Sequence, residues 1–538
     1  MSQGSVKSGF QQVSGFPEMP ASKRNAIFPS MSPTEEIHQK LIEFEWLKEQ
    51  GILTEDAALG LSTRAAELVI AHFQREGSLL REAVELLCRL ASDADPKVAR
   101  AGILGIFPEL IERLNDSFEP AYCRLYDQLF AQVIEFCRRL SEAKRLDEGL
   151  TRFGLLGEAA LLKRKSQISN LKSRISNSAS FNSVKKVLLP SRVTIGADVA
   201  ITSVMIAKLR KALPQAEFVI LGSRKLRELY GGDGRIRIRE IAYERGGSLL
   251  SRLTSWLDVV EVVQDELRGF REDEVWVIDP DSRLTQLGLL PLVENDRNYF
   301  FFESRSYQSP PAHSIGELAG KWLGELIGDP APAFPFVTLP VEHLKFGQTV
   351  IAAIRNPQST IRNRMVAVSF GVGGNERKRV SAEFEEQLIT YLLSDSKLIL
   401  DKGASHQERE HINRIAANLR AQGKKVVEIG EDDGVEFAKQ NLVQADVVTW
   451  DGSIGAFAGL IAASDEYIGY DSAGQHIAAA LGVPTLTVFV NSNNTTFAER
   501  WRPSGKNRIK MVEIQAMELD DLPELTGSIL SQISANQL

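Results

Sequence analysis

The chain has 538 residues, 43% hydrophobic and 25% charged, which excludes wholesale disorder and collagen-like or disulfide-rich classes. At about 150 residues per domain the length implies roughly three to four domains. With 63 Lys plus Arg against 70 Asp plus Glu the net charge is −7, which argues against nucleic acid as the main partner.

Residues 1–34 are rich in Ser, Gly and Pro and read as a flexible tail. The first residues lack the apolar core of a signal peptide. No run approaches the ~18–20 apolar residues needed to cross a bilayer. The expected location is therefore cytoplasmic, or peripheral on the inner membrane. Cys88, Cys123 and Cys137 are odd in number and form no C-x-x-C pair, so buried free thiols are expected.

From 35 to 163 the apolar spacing is helical, beginning with Leu41, Phe44 and Leu47, and an all-helical domain is expected. Residues 93–114 resemble one HEAT-type unit. A solenoid needs about three or more such units, so an ordinary helix bundle is the reading. Residues 164–184 read as a basic, Ser-rich linker. The stretch 163–186 holds seven Lys or Arg and no acid. Such a stretch is either a solvated linker or a peripheral contact with anionic lipid.

After residue 185 strands and helices alternate, which implies parallel sheets covered on both faces. KKVLLPS, EFVILGS, EVWVIDP and YFFFES read as strands, with DSRLTQLGLLPL helix-like after the third. Pro-rich runs at 308–336 bracket a helix over 314–327. Alternation restarts with RMVAVSF, KLILDKG, KKVVEIG, DVVTW, EYIGYD and TLTVFV. Two α/β domains are expected, 185–345 and 346–538, with a ligand in the cleft at the carboxyl ends of their strands.

Three places are candidates for chemistry. In SDEYIGYDSAGQHIAAALGVP (464–484), Asp471 and Ser472 cap a short helix of small residues containing Gly474 and His476. A helix start turns backbone N–H groups outward and suits an anion; an ordinary capped strand–turn–helix is the other reading. Gly371-Val372-Gly373-Gly374 follows a strand, with Lys378 and Arg379 close behind. It is a phosphate-cradling loop or a plain glycine turn. Asp198, after the strand KKVLLPS, is a general base or a helix cap. No metal site is expected: His406 and His411 lie five apart, on different helix faces, and H-E-x-x-H is absent. G-x-S-x-G is absent too, which argues against a serine hydrolase.

Residues 186–538 resemble the heptosyltransferase family, bacterial enzymes that add heptose from ADP-heptose to the lipopolysaccharide core. The resemblance rests most on LIAASDEYIGYDSAGQHIAAALGVP (460–484), similar to the family's Asp-Thr-Gly, two residues, His, small-residue helix and Leu-Gly-x-Pro. TLTVFV, RWRPSG (500–505), GVGGNERKRVSAEFEEQL, VLLPSRVTIGADVAITSVMIAKLRKALPQAEFVIL and VWVIDPDSRLTQLGLLP fit its other segments. The resemblance implies a GT-B fold of two facing Rossmann-like domains, here preceded by an all-α domain. It implies inverting, metal-independent transfer of heptose or a similar sugar from a nucleoside diphosphate, such as ADP-heptose, to a glycan or lipid-linked glycan of the cell envelope, with no cofactor. Asp198 would be the base. Gly371, Gly373, Lys378, Asp471, Ser472, Gly474 and His476 would hold the donor. Asp279, Asp281 and Arg283 stand on the acceptor side.

The sequence also departs from the family. Ala197 separates Gly196 from Asp198, where the family has Gly and Asp adjacent. Ala473 replaces the donor-site glycine. Ser405 stands where a donor-binding Glu is expected, with Glu408 as a substitute. These departures favour the alternative of a non-catalytic sugar-nucleotide-binding scaffold whose helical domain docks a partner. A GT-B-like sugar-nucleotide epimerase is a third reading.

Overall fold

The computed structural model describes residues 31–169, 183–242, 247–308, 313–355, 364–431, 433, 437, 440–491, 495–515 and 527. Most of the 1–34 tail therefore lies outside the described residues. The first helix starts at Pro33, two residues before the expected 35. Ser32 caps it in a reciprocal box with Glu35, and Pro33 sits where its missing N–H costs nothing.

Helices follow at Glu55–Glu76, Arg81–Ala91, Pro96–Leu104, Glu112–Asp116, Pro120–Arg138, Lys144–Arg152 and Glu158–Ser169. Between Leu104 and Glu112 the chain widens into a π turn around Pro108, which lacks the N–H that an α-helix needs. Cys88 and Cys137 are buried free thiols, whereas Cys123 is only half-buried.

The basic linker expected from 164 begins later. The helix runs on to Ser169 because Arg164 and Lys165 have partners inside. Arg164 donates to the Gly288 carbonyl and the Asp296 carboxylate, each at 2.7 Å, and Lys165 donates to the Leu287 carbonyl at 2.6 Å. Lys186 is buried against Glu266 at 3.0 Å. Three of the basic residues in 163–186 thus face protein. Residues 170–182 lie outside the described residues.

The strands form two all-parallel sheets. The first comprises β1 (Lys186–Pro190), β2 (Glu217–Gly222), β3 (Ile236–Glu240), β4 (Val275–Asp279) and β5 (Tyr299–Phe301), in the order β3-β2-β1-β4-β5. The second comprises β6 (Arg364–Ser369), β7 (Ser396–Asp401), β8 (Val426–Gly430), β9 (Val447–Asp451), β10 (Glu466–Tyr470), β11 (Thr485–Asn491) and β12 (Ile509–Gln515), in the order β12-β11-β10-β6-β7-β9-β8. This is the expected architecture of two doubly wound α/β domains after a helical one. β3 and β12 were not anticipated, since IRIRE and IKMVEIQ carry charges that mask them.

Alternate residues of the first sheet enter different cores. Leu188, Val219, Val275, Val277 and Phe301 share one cluster with the helical domain. Val187, Leu189, Phe218, Ile220, Trp276 and Ile278 share another with helices of the second domain. Both faces are covered, so the strands read as continuous apolar runs. The helical domain is fused to one face of the first sheet.

DSRLTQLGLLPL is not a helix. It makes one 3-10 turn at Arg283–Thr285, and Gln286 and Leu287 take positive φ of 45° and 57°. The Asp279 carboxylate draws the chain in, accepting from Ser282 N and Thr285 Oγ1, each at 2.7 Å. Such local bonds compete with helix formation. The expected domain boundary near 345 falls inside a helix, Val341–Ile354, which packs on Ile454–Ala463 of the second domain. The two backbones approach so closely that a Cβ on Gly347 would lie 1.9 Å from the Gly459 carbonyl oxygen.

Candidate functional site

In each sheet the winding reverses beside the first strand: β1 against β4, and β6 against β10. Ligands of such sheets bind beyond the strand ends at that reversal. The loops there hold Asp198, Asp279 and Asp281 on one side and Gly371–Lys378 and Asp471–His476 on the other. The two sides touch: the nearest neighbours of a Cβ placed on Gly196 would be Ala473 and His476.

On the second domain, Lys378 Nζ donates to Asp471 Oδ2 at 2.5 Å. Gln475 Nε2 donates to Asp471 Oδ1 at 2.8 Å. Burial works against the Lys378 charge, but Asp471, Asp116 and Glu112 outweigh it and hold its pKa above the ordinary value. Ser472 opens the helix Ala473–Leu481 without a side-chain capping bond. His476 is only 4% exposed. Burial pushes it down to about 4, against Asp471 and with help from Lys378, so it is neutral at pH 7. It can offer a ring N–H, not a positive charge.

Gln475 was missed in the sequence. It is fully buried and joins Asp471, the Trp501 carbonyl and Thr487, whose hydroxyl donates to Gln475 Oε1 at 2.5 Å. Its signal was its place inside the 464–484 run, one residue before the histidine. Gly474 has a packing reason, because a Cβ there would strike the Tyr467 hydroxyl.

The glycine loop is not an open anion cradle. Glu408 Oε1 accepts from Val372 N at 3.0 Å and Gly373 N at 3.3 Å, and Gly371 lies beside the same carboxylate. Glu408 Oε2 accepts from Ala404 N and Ser405 N, both at 3.0 Å. Burial alone would raise the Glu408 pKa; these amides bring it below the ordinary value. Glu408, the substitute considered for a donor-binding residue, is a clasp between two loops. The amides at Val372 and Gly373 are occupied by it.

Asp198 differs from its expected role. Its carboxylate accepts from Ser191 Oγ at 2.5 Å, Arg192 N at 2.8 Å and Thr202 Oγ1 at 3.0 Å, and it is 1% exposed. It ties the turn after β1 and does not open on the cleft. Burial pushes the Asp198 carboxyl up to about 6 against those three donors. The folded state then holds the proton between about pH 4 and 6 while the unfolded chain releases it. Stability from this group falls as pH rises through that window, by up to about 3 kcal/mol. Asp198→Asn is expected to fold, to remove that contribution from the wild-type pH–stability curve, and to turn over within a factor of about three of wild type. Urea unfolding from pH 4 to 8 and a donor-turnover assay check it. Lost turnover with intact nucleotide binding would restore Asp198 as the base.

The acceptor-side candidates separate. Asp279 is buried and accepts from Ser282, Thr285 and Tyr299. Asp281, at a positive φ of 70°, accepts from Ser304 Oγ at 2.6 Å and pairs with Arg305 at 3.2 Å and Arg192 at 3.5 Å. Both serve the loop architecture. Arg283 alone of the three is half-exposed. Among the described residues no group of three or more His, Cys, Asp or Glu could hold a metal ion. No helix among them is long and apolar enough to cross a membrane.

Residues 451–522 match glycosyltransferase family 9 (heptosyltransferase). This family 9 segment contains Asp471, Ser472, Gly474, Gln475 and His476, and leaves Lys378, Asp198 and the helical domain outside it. The structure is also similar to E. coli ADP-heptose lps heptosyltransferase II, at 15% identity and a TM-score of 0.45, covering 65% of this chain and 98% of that one. It is similar to E. coli heptosyltransferase WaaC with ADP, at 16% identity and a TM-score of 0.44, covering 64% and 99%. A glycosyltransferase of family 9 from Veillonella parvula gives 14% identity, a TM-score of 0.43 and coverage of 65% and 90%. These likenesses are remote, and the family 9 segment and the site geometry carry the reading. No curated protein sequence matches the chain.

Proposed function

We propose that the protein is a glycosyltransferase that moves a sugar from a nucleoside-diphosphate donor, heptose or a relative, onto a hydroxyl of a glycan or lipid-linked glycan. The observation that carries this is the Lys378–Asp471 pair, set at the winding reversal of the second sheet beside the start of the helix Ala473–Leu481. Lys378 and the helix start stabilise the leaving diphosphate. Asp471 and the His476 N–H accept from and donate to the donor's polar groups. Transfer is direct and inverting, with no metal requirement. A cytoplasmic setting, with peripheral attachment through exposed bases such as Lys163 and Lys185, belongs to the same proposal.

The scaffold reading has one observation of its own: Asp198 is sealed in the turn after β1. Turnover separates the two readings.

The direct test is thermal unfolding of the full chain with ADP, UDP, GDP and CMP. A nucleotide at 100 times its dissociation constant stabilises by about 2.7 kcal/mol. Selective stabilisation by ADP is the expected result and favours an ADP-sugar. Preference for another nucleotide removes ADP-heptose. No shift with any of them removes the donor site.

A further inference from the structure

The helical domain does more than cover the first sheet. With the loops that follow β4 and β5 it encloses an open cavity of about 270 Å³. Tyr126 and Asp127, on the helix Pro120–Arg138, and Lys165, on the helix Glu158–Ser169, line one wall. Asp281, Glu303 and Arg305 line the other. These three stand just beyond the carboxyl ends of β4 and β5, the end at which parallel sheets bind their ligands. Hydrogen bonds fix the walls to each other. Arg305 Nη1 donates to Asn115 Oδ1 at 2.6 Å, Lys165 Nζ to the Leu287 carbonyl at 2.6 Å, and Ser169 Oγ to Glu303 Oε1 at 2.5 Å.

Most of the charge in the cavity is already matched. Asp281 pairs with Arg305 at 3.2 Å and accepts from Ser304. Glu303 accepts from Ser169 and Ser306, with Lys165 3.7 Å away. Two polar groups are left over. The half-buried Asp127 carboxylate accepts no hydrogen bond from a described residue and forms no ion pair with one. The Tyr126 hydroxyl makes no hydrogen bond to a described residue either, although Tyr126 is only 3% exposed. Its ring is taken, stacked on Phe130 at 4.8 Å with Arg305 over it at 5.7 Å, so the hydroxyl is what it offers. Buried polar groups are normally paired, and two unpaired ones in a single cavity call for a partner from outside the chain.

The charges choose its class. An anion would meet three carboxylates, Asp127, Asp281 and Glu303. An ammonium would meet Lys165 and Arg305 and could accept nothing from them or from Tyr126. A neutral hydroxyl both donates and accepts: it can give its proton to Asp127 and accept from the Tyr126 hydroxyl or the Lys165 ammonium. Burial pushes the Asp127 carboxyl up to about 6; Lys165 and Arg305 oppose the rise, and Glu303 and Asp281 add to it, so the group is ionised and accepting above that pH. The volume lies just below the roughly 300 Å³ at which small-molecule pockets begin, which suits one sugar residue and not a chain of them.

We propose that this cavity is the acceptor subsite, holding one neutral sugar residue whose hydroxyls donate to Asp127 and accept from Tyr126, so that the helical domain selects the acceptor. The proposal rests on the reading of the chain as a glycosyltransferase with its donor site at Lys378 and Asp471.

The experiment uses the full chain and three probes, methyl α-glucoside, methyl α-galactoside and methyl α-mannoside, with glucuronate and butylammonium as charged controls. Binding is read by saturation-transfer NMR at neutral pH. Thermal shifts with ADP, UDP, GDP and CMP are run on the same samples. At least one glycoside is expected to bind more tightly than both controls. Asp127→Asn keeps the shape and is expected to weaken that binding by about 10–150-fold, the loss of a charged hydrogen bond; Tyr126→Phe weakens it by about 2–13-fold, the loss of a neutral one. The nucleotide response is expected to be unchanged in both. Cys123, half-buried, also lines the cavity, and Cys123→Trp is expected to abolish glycoside binding by filling it. Equal glycoside binding in wild type, Asp127→Asn and Tyr126→Phe, or tighter binding of glucuronate or butylammonium, overturns the proposal. So does a wild type that responds to a nucleotide and binds no glycoside, which leaves the donor site standing. Glycoside binding by a chain that responds to no nucleotide removes the acceptor role along with the donor site.

Discussion

Lys378→Ala is expected to weaken nucleoside-diphosphate binding by roughly 10–150-fold and to lower stability by about 2–3 kcal/mol. The first figure follows from losing a charged hydrogen bond, worth about 1.5–3 kcal/mol. The second follows from what remains: Asp471 would be left in a mostly buried position with Gln475 as its one donor among the described residues. Removing one partner of a buried pair costs about 3–5 kcal/mol, and the cost here is smaller because Lys378 keeps 28% of its side chain exposed. Isothermal titration with the nucleotide that stabilises wild type measures the first loss, and urea unfolding the second. The double variant Lys378→Met/Asp471→Asn separates them, since it removes the stranded charge without replacing the phosphate contact. It should regain most of the stability and none of the affinity. Affinity recovered along with stability would make the pair structural and move the diphosphate elsewhere.

Most of the two α/β domains was legible in the sequence because their strands are buried on both faces. Runs such as VLL in β1 and VWVI in β4 are apolar without interruption, and a parallel sheet is the usual source of that pattern. β3 and β12 were not legible for the converse reason: edge strands carry charges, and IRIRE exposes Arg237 in the sequence IleArgIleArg. The segment after β4 misled because its leucines have helical spacing. Five of them, Leu284, Leu287, Leu289, Leu290 and Leu292, are buried, but against the helical domain, and Asp279 and Ser282 hold the backbone in turns. Periodicity records which side chains are buried, not which covalent path brings them there.

The site was legible where its chemistry is local and opaque where it is shared between domains. Asp471, Ser472 and His476 lie within six residues, so one motif carried them, while Gln475 inside it was passed over. Lys378 reaches Asp471 across 93 positions; the glycine loop before it and the resemblance both pointed to the lysine, but neither to this pairing. The glycine loop had the right residues for a phosphate cradle, yet Glu408, more than thirty positions on, takes the amides of Val372 and Gly373. Asp198 shows the limit of matching residue types: its carboxylate is taken up by Ser191, Arg192 and Thr202 in the turn after β1.

Arg305 ties the helical domain to the loops of the first sheet and is the residue whose loss should spread furthest. Its guanidinium holds Asn115 on one side and the Asp281 carboxylate on the other, and it stacks over the Tyr126 ring at 5.7 Å. Arg305 and Arg192 hold Asp281 below the ordinary carboxylate range although burial opposes it. Arg305→Ala leaves Asp281 with the Ser304 hydroxyl and Arg192, itself pushed down to about 10 by burial. The expected cost is about 3–5 kcal/mol, the range for a broken buried pair. It also frees Asn115 and the turn around it, whose Phe118 is buried in the cluster that both α/β domains share, so turnover should fall further than nucleotide affinity, whose groups lie on the second domain. Arg305→Lys tests the geometry separately from the charge. A lysine can reach Asp281 or Asn115 but lacks the fork that holds both. Its stability should therefore recover more than its turnover. Equal recovery of both would mean that the anchoring of Asn115 has no part in the reaction.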